Sequence, residues 1–297
     1  MPLKEGCLFA SDYSRSVLMV ILGGVFLSFL GLGDRSLEAA TGPQIAFYRA
    51  LSQFIFFTFV FLILRKGSIA DEFNSLTWRG WFAAMVMALA GFFLIMSFQF
   101  TLVANAIFFV SLTPLVAAIL GWVFLKEAIS QRTAIAMAVA LIGVTIIFGT
   151  NMNGDGVIGM GFAFMMAVCY AGTIVIMRTI PAANVILICT LNAMFTLILM
   201  LPLIGDFAIS QKDLFICLAL GIFQVGLGTM CVMAGARFVP AAQVSILALL
   251  EVVLAPIWVW IFVHEVPSTT TLIGGAIVLA GVIYQALGRR ATLNQIS

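Results

Sequence analysis

The sequence breaks into ten apolar stretches, each about as long as a helix that crosses a bilayer, with very little between them. A hydrocarbon layer of about 30 Å takes roughly 20 helical residues to span. The stretches cover residues 17–33, 43–64, 80–100, 104–124, 133–149, 157–177, 184–204, 214–236, 241–263 and 271–287. They are continuous rather than alternating, and much longer than the strands of a membrane barrel. In lipid, each backbone donor and acceptor must be satisfied within its own segment, which selects helices. Composition agrees: 63% of residues are hydrophobic, 9% are charged, and the mean hydropathy is +1.20. A water-soluble domain is nearer to roughly 50% apolar and about 25% charged. The expected fold class is an all-α polytopic membrane protein forming one integral membrane domain.

Lys4 and Arg15 precede the first stretch as in a signal peptide, but no small-residue cleavage site follows and further spans come directly after. An uncleaved first helix is expected. The longest connection, residues 65–79, carries Asp71, Glu72 and Asn74 and is too short for a soluble domain, so the function is expected within the bilayer. Lys and Arg fall unevenly on alternate connections. A cytoplasmic N-terminus puts Lys4, Arg15, Arg65, Lys66, Arg79, Lys126, Arg132, Arg178, Arg237, Arg289 and Arg290 on that side. The opposite side holds only Arg35 and Lys212, with Arg49 inside the second span. The positive-inside bias then predicts a multi-pass protein of a bacterial-type inner (plasma) membrane with both termini cytoplasmic.

Several function classes fall away. A net charge of +2 is too small to argue for a nucleic-acid partner. The five cysteines show no C-x-x-C spacing, and four lie in apolar runs where a thiol acts as a small hydrophobe, so no disulfide framework is expected. The single histidine, His264, cannot build a metal site, and no cofactor is expected. A Walker A sequence, H-E-x-x-H and G-x-S-x-G are all missing, which excludes ATP-driven pumping by this chain alone and argues against an enzyme. An intramembrane enzyme and a non-catalytic membrane scaffold are the alternatives from other classes.

The chain also repeats itself. A shift of 138 residues lays Gln243-Val244-Ser245 on Asn105-Ala106-Ile107, Glu251-Val252 on Thr113-Pro114, His264-Glu265 on Lys126-Glu127, and Gly281 on Gly143. A shift of 143 pairs Arg35 with Arg178. Five spans per half is an odd number, so the second half is expected upside down. Lys126 then lies on the cytoplasmic side, while His264 lies where Lys and Arg are depleted. Inverted repeats are the architecture of many secondary transporters, because two similar halves can exchange conformations and open a site to each side in turn.

These residues carry a resemblance. A Thr-Pro or Glu-Val element, a Lys-Glu or His-Glu turn thirteen residues on, and a small-residue helix ending in Gly-Val together resemble the EamA-type unit, which occurs twice in drug/metabolite transporters. Each half keeps part of the usual Glu-Pro and Gly-Glu signature. The two units would occupy residues 17–150 and 157–288. Within the superfamily the sequence most resembles the aromatic amino acid exporter branch. That resemblance implies a ten-helix basket with a central cavity lined mainly by spans one, three, four, six, eight and nine. It also implies export of aromatic and other neutral amino acids, with cationic drugs or other metabolites as the alternative. The expected partners are a small-molecule substrate, an amino acid or amphipathic metabolite, and the lipid bilayer.

A charge in hydrocarbon costs about 2.5–3.5 kcal/mol on insertion scales and needs a reason. Glu251 lies midway along the ninth span, and Trp258, seven residues on, shares its face. Glu251 suits a substrate amino group or a coupled proton; the structural alternative is a protonated carboxyl bonded to a neighbouring helix. Arg49 suits a substrate carboxylate, or backbone carbonyls and the interface. Gln99, Asn105, Tyr170, Gln224 and Gln243 are uncharged polar residues expected to turn inward, with Asn105 and Gln243 matched by the repeat. Pro114 and Pro256 are expected to kink their spans. Small residues line span five (Ala134, Ala136, Ala138, Ala140, Gly143) and span ten (Gly274, Gly275, Ala276, Ala280, Gly281), either as a seam within the monomer or as a homodimer contact through helices 5 and 10.

Overall fold

The computed structural model describes residues 3–64, 69–101, 109–148, 156–180, 185–264 and 269–293, and all regular structure among them is helical. The elements run α1 (Leu3–Leu27), α2 (Leu30–Ser36), α3 (Gly42–Leu64), α4 (Ile69–Ser75), α5 (Trp78–Phe100), α6 (Thr113–Leu125) and α7 (Gln131–Phe148). They continue with α8 (Val157–Met177), α9 (Val185–Met200), α10 (Gln211–Ala219), a π-helical segment (Leu220–Leu227), α11 (Gly228–Gly235), α12 (Ala241–Ala248), α13 (Leu250–Val263) and α14 (Thr269–Leu293).

Seven helical stretches among the described residues are long and apolar enough to cross a membrane, and three further apolar helices are shorter. Large apolar side chains such as Phe59, Ile63, Phe124 and Phe215 point outward, as a lipid-facing surface requires. The interior is filled instead by small and branched residues, among them Ala83, Ala84, Ala167, Ala171, Ile174, Ile188 and Val232. The expected limits of the sixth span, 157–177, coincide with α8.

Several spans are interrupted. The first turns at Ser28 and Phe29, between α1 and α2. The eighth widens into the π-helical segment between α10 and α11. The fourth turns at residues 111–112, before α6. Pro114 has no N–H for the carbonyl of Val110, and the Thr113 hydroxyl donates to that oxygen at 2.5 Å. The ninth breaks at Leu249, where Leu249 N–H bonds to Ile246 O and Val252 N–H to Leu249 O. Pro256 was the expected kink in that span; the break lies seven residues earlier, and Pro256 is within α13.

Helix α7 packs along α14. A Cβ on Gly143 would stand 2.6 Å from Gly274 O and 2.7 Å from Val278 Cγ2. A Cβ on Gly281 would stand 3.1 Å from Ala136 O and 3.3 Å from Ala140 N. The contact is reciprocal: 143 and 281, 136 and 274, and 140 and 278 each differ by 138. Ala136, Ala140 and Gly143 of α7 and Gly274, Val278 and Gly281 of α14 therefore meet within one chain, whereas Ala134, Ala138, Ala276 and Ala280, also expected in the small-residue faces, are exposed. Outward, the same helices present Ile135, Ile142, Ile273 and Ile283.

The only non-glycine residues with positive φ among the described residues are Lys126 (54°) and His264 (60°), also 138 apart. They end α6 and α13. Lys126 lies at the end of the molecule where α1 begins: the neighbouring Glu127 carboxylate accepts from Ala241, and Gln243, two residues on, accepts from Tyr13. His264 lies at the other end, since α13 runs past Gly31 through Ala255 and Val259 on its way there.

Candidate functional site

The interruptions of spans one, eight and nine gather around one stretch of α1. Gly24 lets the ninth-span break approach, for a Cβ there would stand 3.5 Å from Leu250 Cβ and 3.6 Å from Leu247 O. One turn on, Gly228 at the end of the π segment packs against Leu27. Irregular backbone at membrane depth leaves carbonyls and N–H groups without helical partners, and it is tolerated where it lines protein or a cavity.

Trp258 of α13 lands on the first-span interruption. Its indole Nε1–H donates to Ser28 Oγ at 2.7 Å, and its ring stacks on Phe29 with centroids 4.9 Å apart and planes 10° apart. The Ser28 hydroxyl in turn donates to Val25 O at 2.6 Å, so one oxygen serves both bonds. Glu251 sits two residues past the break, on the Trp258 side of it. Tyr170 of α8 lies within electrostatic reach of the Glu251 carboxyl. Both side chains are partly buried.

Two other expected residues form a second cluster. Arg49 Nη2 donates to Gln224 Oε1 at 2.5 Å, and Gln224 Nε2 donates to Leu27 O at 3.1 Å. Gln224 is 4% exposed and belongs to the π segment. The wide turn places it there because Gly221 allows contact with α3: a Cβ would fall 1.9 Å from Ser52 Oγ and 2.3 Å from Arg49 O. Arg49 thus ties the second span to the first and eighth. Nearby, Tyr48 donates to Phe207 O and Gln44 to Asp206 O and Ala208 O, while the Asp213 carboxylate accepts N–H bonds from Glu38, Ala39 and Ala40. These bonds tie α3 to residues 206–208 and α10 to residues 38–40 at the end opposite Lys126.

Gln243 accepts from Tyr13 O–H at 2.8 Å and faces the Lys126 end. The structure therefore places Trp258 on Ser28 and Phe29, Glu251 two turns away on the same face of α13 with Tyr170 near it, Arg49 with Gln224, and Gln243 against Tyr13. Gln99 is exposed at the end of α5 and joins none of them. Asn105 lies outside the described residues. Sequence reasoning missed Tyr13, Ser28 and Phe29. Their signal is slight, a hydroxyl-aromatic pair inside an apolar run.

Comparison with known proteins bears on what this arrangement does. The pattern of the EamA-like transporter family matches residues 14–149 and again 157–286. The chain is 22% identical to "Uncharacterized transporter YxxF" of Bacillus subtilis (strain 168) over 308 aligned positions, which cover 98% of this chain and 96% of that protein. A solved crystal structure is similar in fold, with a TM-score of 0.80 at 17% identity, over 92% of this chain and 98% of its own.

Proposed function

The chain belongs to the EamA-like transporter family, and on that premise we propose that it exports small amphipathic metabolites, aromatic and other neutral amino acids first, by alternating access through a central cavity. The observation that carries the reading is the Trp258–Phe29 stack at the first-span interruption, with Glu251 two helical turns away on the same face of α13 and next to the break at Leu249. An ionised carboxylate there takes a substrate ammonium in a charge-assisted hydrogen bond. The stacked rings offer an apolar, π-rich wall to an aromatic side chain. Ser28 and Tyr170 add hydroxyls at the margin.

Alternating access in this reading uses ten spans built as two inverted repeats. Three matched features support it: the left-handed residues Lys126 and His264, the reciprocal α7–α14 seam, and the interruptions of spans four and nine near residues 111 and 249. The charge count supports cytoplasmic termini in a bacterial-type inner membrane, with Tyr13 and Gln243 toward the cytoplasm. The same carboxylate and ring pair also suits a cationic amphipath, which needs no carboxylate partner, and a cationic drug is the second reading. The test is efflux from liposomes holding the purified protein. Labelled phenylalanine trapped inside is expected to leave faster than from protein-free liposomes. Equal rates, with a cationic dye released instead, would replace the first reading by the second.

A further inference from the structure

At the Lys126 end the two halves meet through a charged contact that the substrate site does not use. Lys126 closes α6 in the left-handed region, a conformation that a residue with a Cβ adopts at a cost, and it turns Glu127 toward the second half. Glu127 Oε1 pairs with Arg178 Nε at 2.5 Å, just past the end of α8. Glu127 Oε2 accepts the N–H of Ala241, the first residue of α12, at 3.3 Å. Arg178 also donates to the carbonyl of Val239. One carboxylate–guanidinium pair thus holds the end of α6, the end of α8 and the entry to α12.

One of the elements it holds is a half-helix: α12 ends at the break at Leu249, where Leu249 N–H bonds to Ile246 O and Val252 N–H to Leu249 O, both of the i to i+3 kind. Helix α12 can therefore tilt without carrying α13, and α6, which it meets, starts at the turn at 111–112. The two pack closely where Gly121 faces Ala241, with 3.7 Å between a Cβ at one and the Cβ of the other.

Both charged side chains are 20% exposed. A pair that keeps contact with water gives little net stability and separates readily, whereas a dry pair would be costly to break. The geometry points to Glu127–Arg178 as a latch that seals the Lys126 end in this conformation and separates each time the cavity opens to that end. The inference rests on the alternating-access reading above.

The test needs no substrate. In the full chain, with its native cysteines replaced, one reporter cysteine is placed at Ser245 on α12 and another, in a separate protein, at Ala255 on α13, one on each side of the ninth-span break. Labelling by a membrane-impermeant maleimide is followed in detergent, where both ends are reachable. Glu127→Gln is expected to raise the rate at position 245 by about two- to fivefold and to lower it at 255, the shift that follows loss of a partly exposed pair. The double change Glu127→Arg with Arg178→Glu is expected to return both rates toward the parent. Arg178→Gln should act like Glu127→Gln, and it serves if the latter is not monodisperse on size exclusion. Faster labelling at both positions would make the pair plain structural glue, and unchanged rates would remove the latch. Either result would overturn the inference even if phenylalanine is transported, and failure of phenylalanine transport leaves the labelling outcome standing.

Discussion

Replacing Gly143 by alanine probes the close approach of α7 and α14. The added Cβ would sit 2.6 Å from Gly274 O, 2.7 Å from Val278 Cγ2 and 2.8 Å from Val278 N. Two of these are backbone atoms, so no change of rotamer relieves the clash. Ordinary contact begins near ~3.5 Å, so the helices must part by roughly 0.7–0.9 Å. Overpacking of this kind costs about 1–3 kcal/mol. Alanine also gains up to about 1 kcal/mol of helix propensity over glycine, which partly hides the clash. Gly91→Ala removes that ambiguity, because nothing lies within 4 Å of a Cβ there and only the propensity gain remains. Gly281→Ala should fall between the two, its nearest atoms being 3.1 and 3.3 Å away. At roughly 2–4 °C per kcal/mol, Gly143→Ala should lose its monomeric size-exclusion peak about 2–12 °C below Gly91→Ala. Equal midpoints for the two proteins would mean that the helices do not meet at that glycine.

Other expectations concern the site and the topology. Glu251→Gln removes the anion proposed to hold the substrate ammonium, a bond of about 1.5–3 kcal/mol, so phenylalanine efflux should slow by roughly 10-fold to 100-fold; an unchanged rate would remove Glu251 from binding. Trp258→Phe keeps a ring against Phe29 but deletes the donor to Ser28 Oγ. Its cost is about 1 kcal/mol, seen as a KM raised roughly fivefold with little change in maximal rate, and a collapse of the maximal rate alone would contradict this role. Single cysteines in place of Lys126 and His264 should react with impermeant reagents from opposite faces of the membrane; labelling from one face would end the inverted-half reading.

Much of the fold was legible because lipid imposes a simple rule on sequence. The run 157–177 was readable to the residue, since Gly156 and Arg178 bound an unbroken apolar stretch. The interruptions were not. Pro256 drew attention within the ninth span, yet the break falls at Leu249, in an all-apolar run with no local marker, and is shaped by packing against Gly24. The π-helical turn that carries Gln224 likewise answers to Gly221 meeting Ser52 and Arg49 across two helices, which no local pattern records. The periodicity that put Trp258 on the Glu251 face was readable, but its partners Ser28 and Phe29 lie on the first span, more than 200 residues earlier in the chain. Glu127 and Arg178 each stood out, one in the repeat and the other in the charge count. Their pairing depends on the left-handed turn at Lys126, which is visible only in three dimensions.

Counterflow tests the central claim most directly. Liposomes holding the purified chain and filled with unlabelled phenylalanine are diluted into a trace of labelled phenylalanine with no ion gradient. A carrier with one alternately exposed site should concentrate the label inside transiently, then let it fall to equilibrium. Flat uptake that matches protein-free liposomes, for phenylalanine and for every other neutral amino acid tried, would contradict the account.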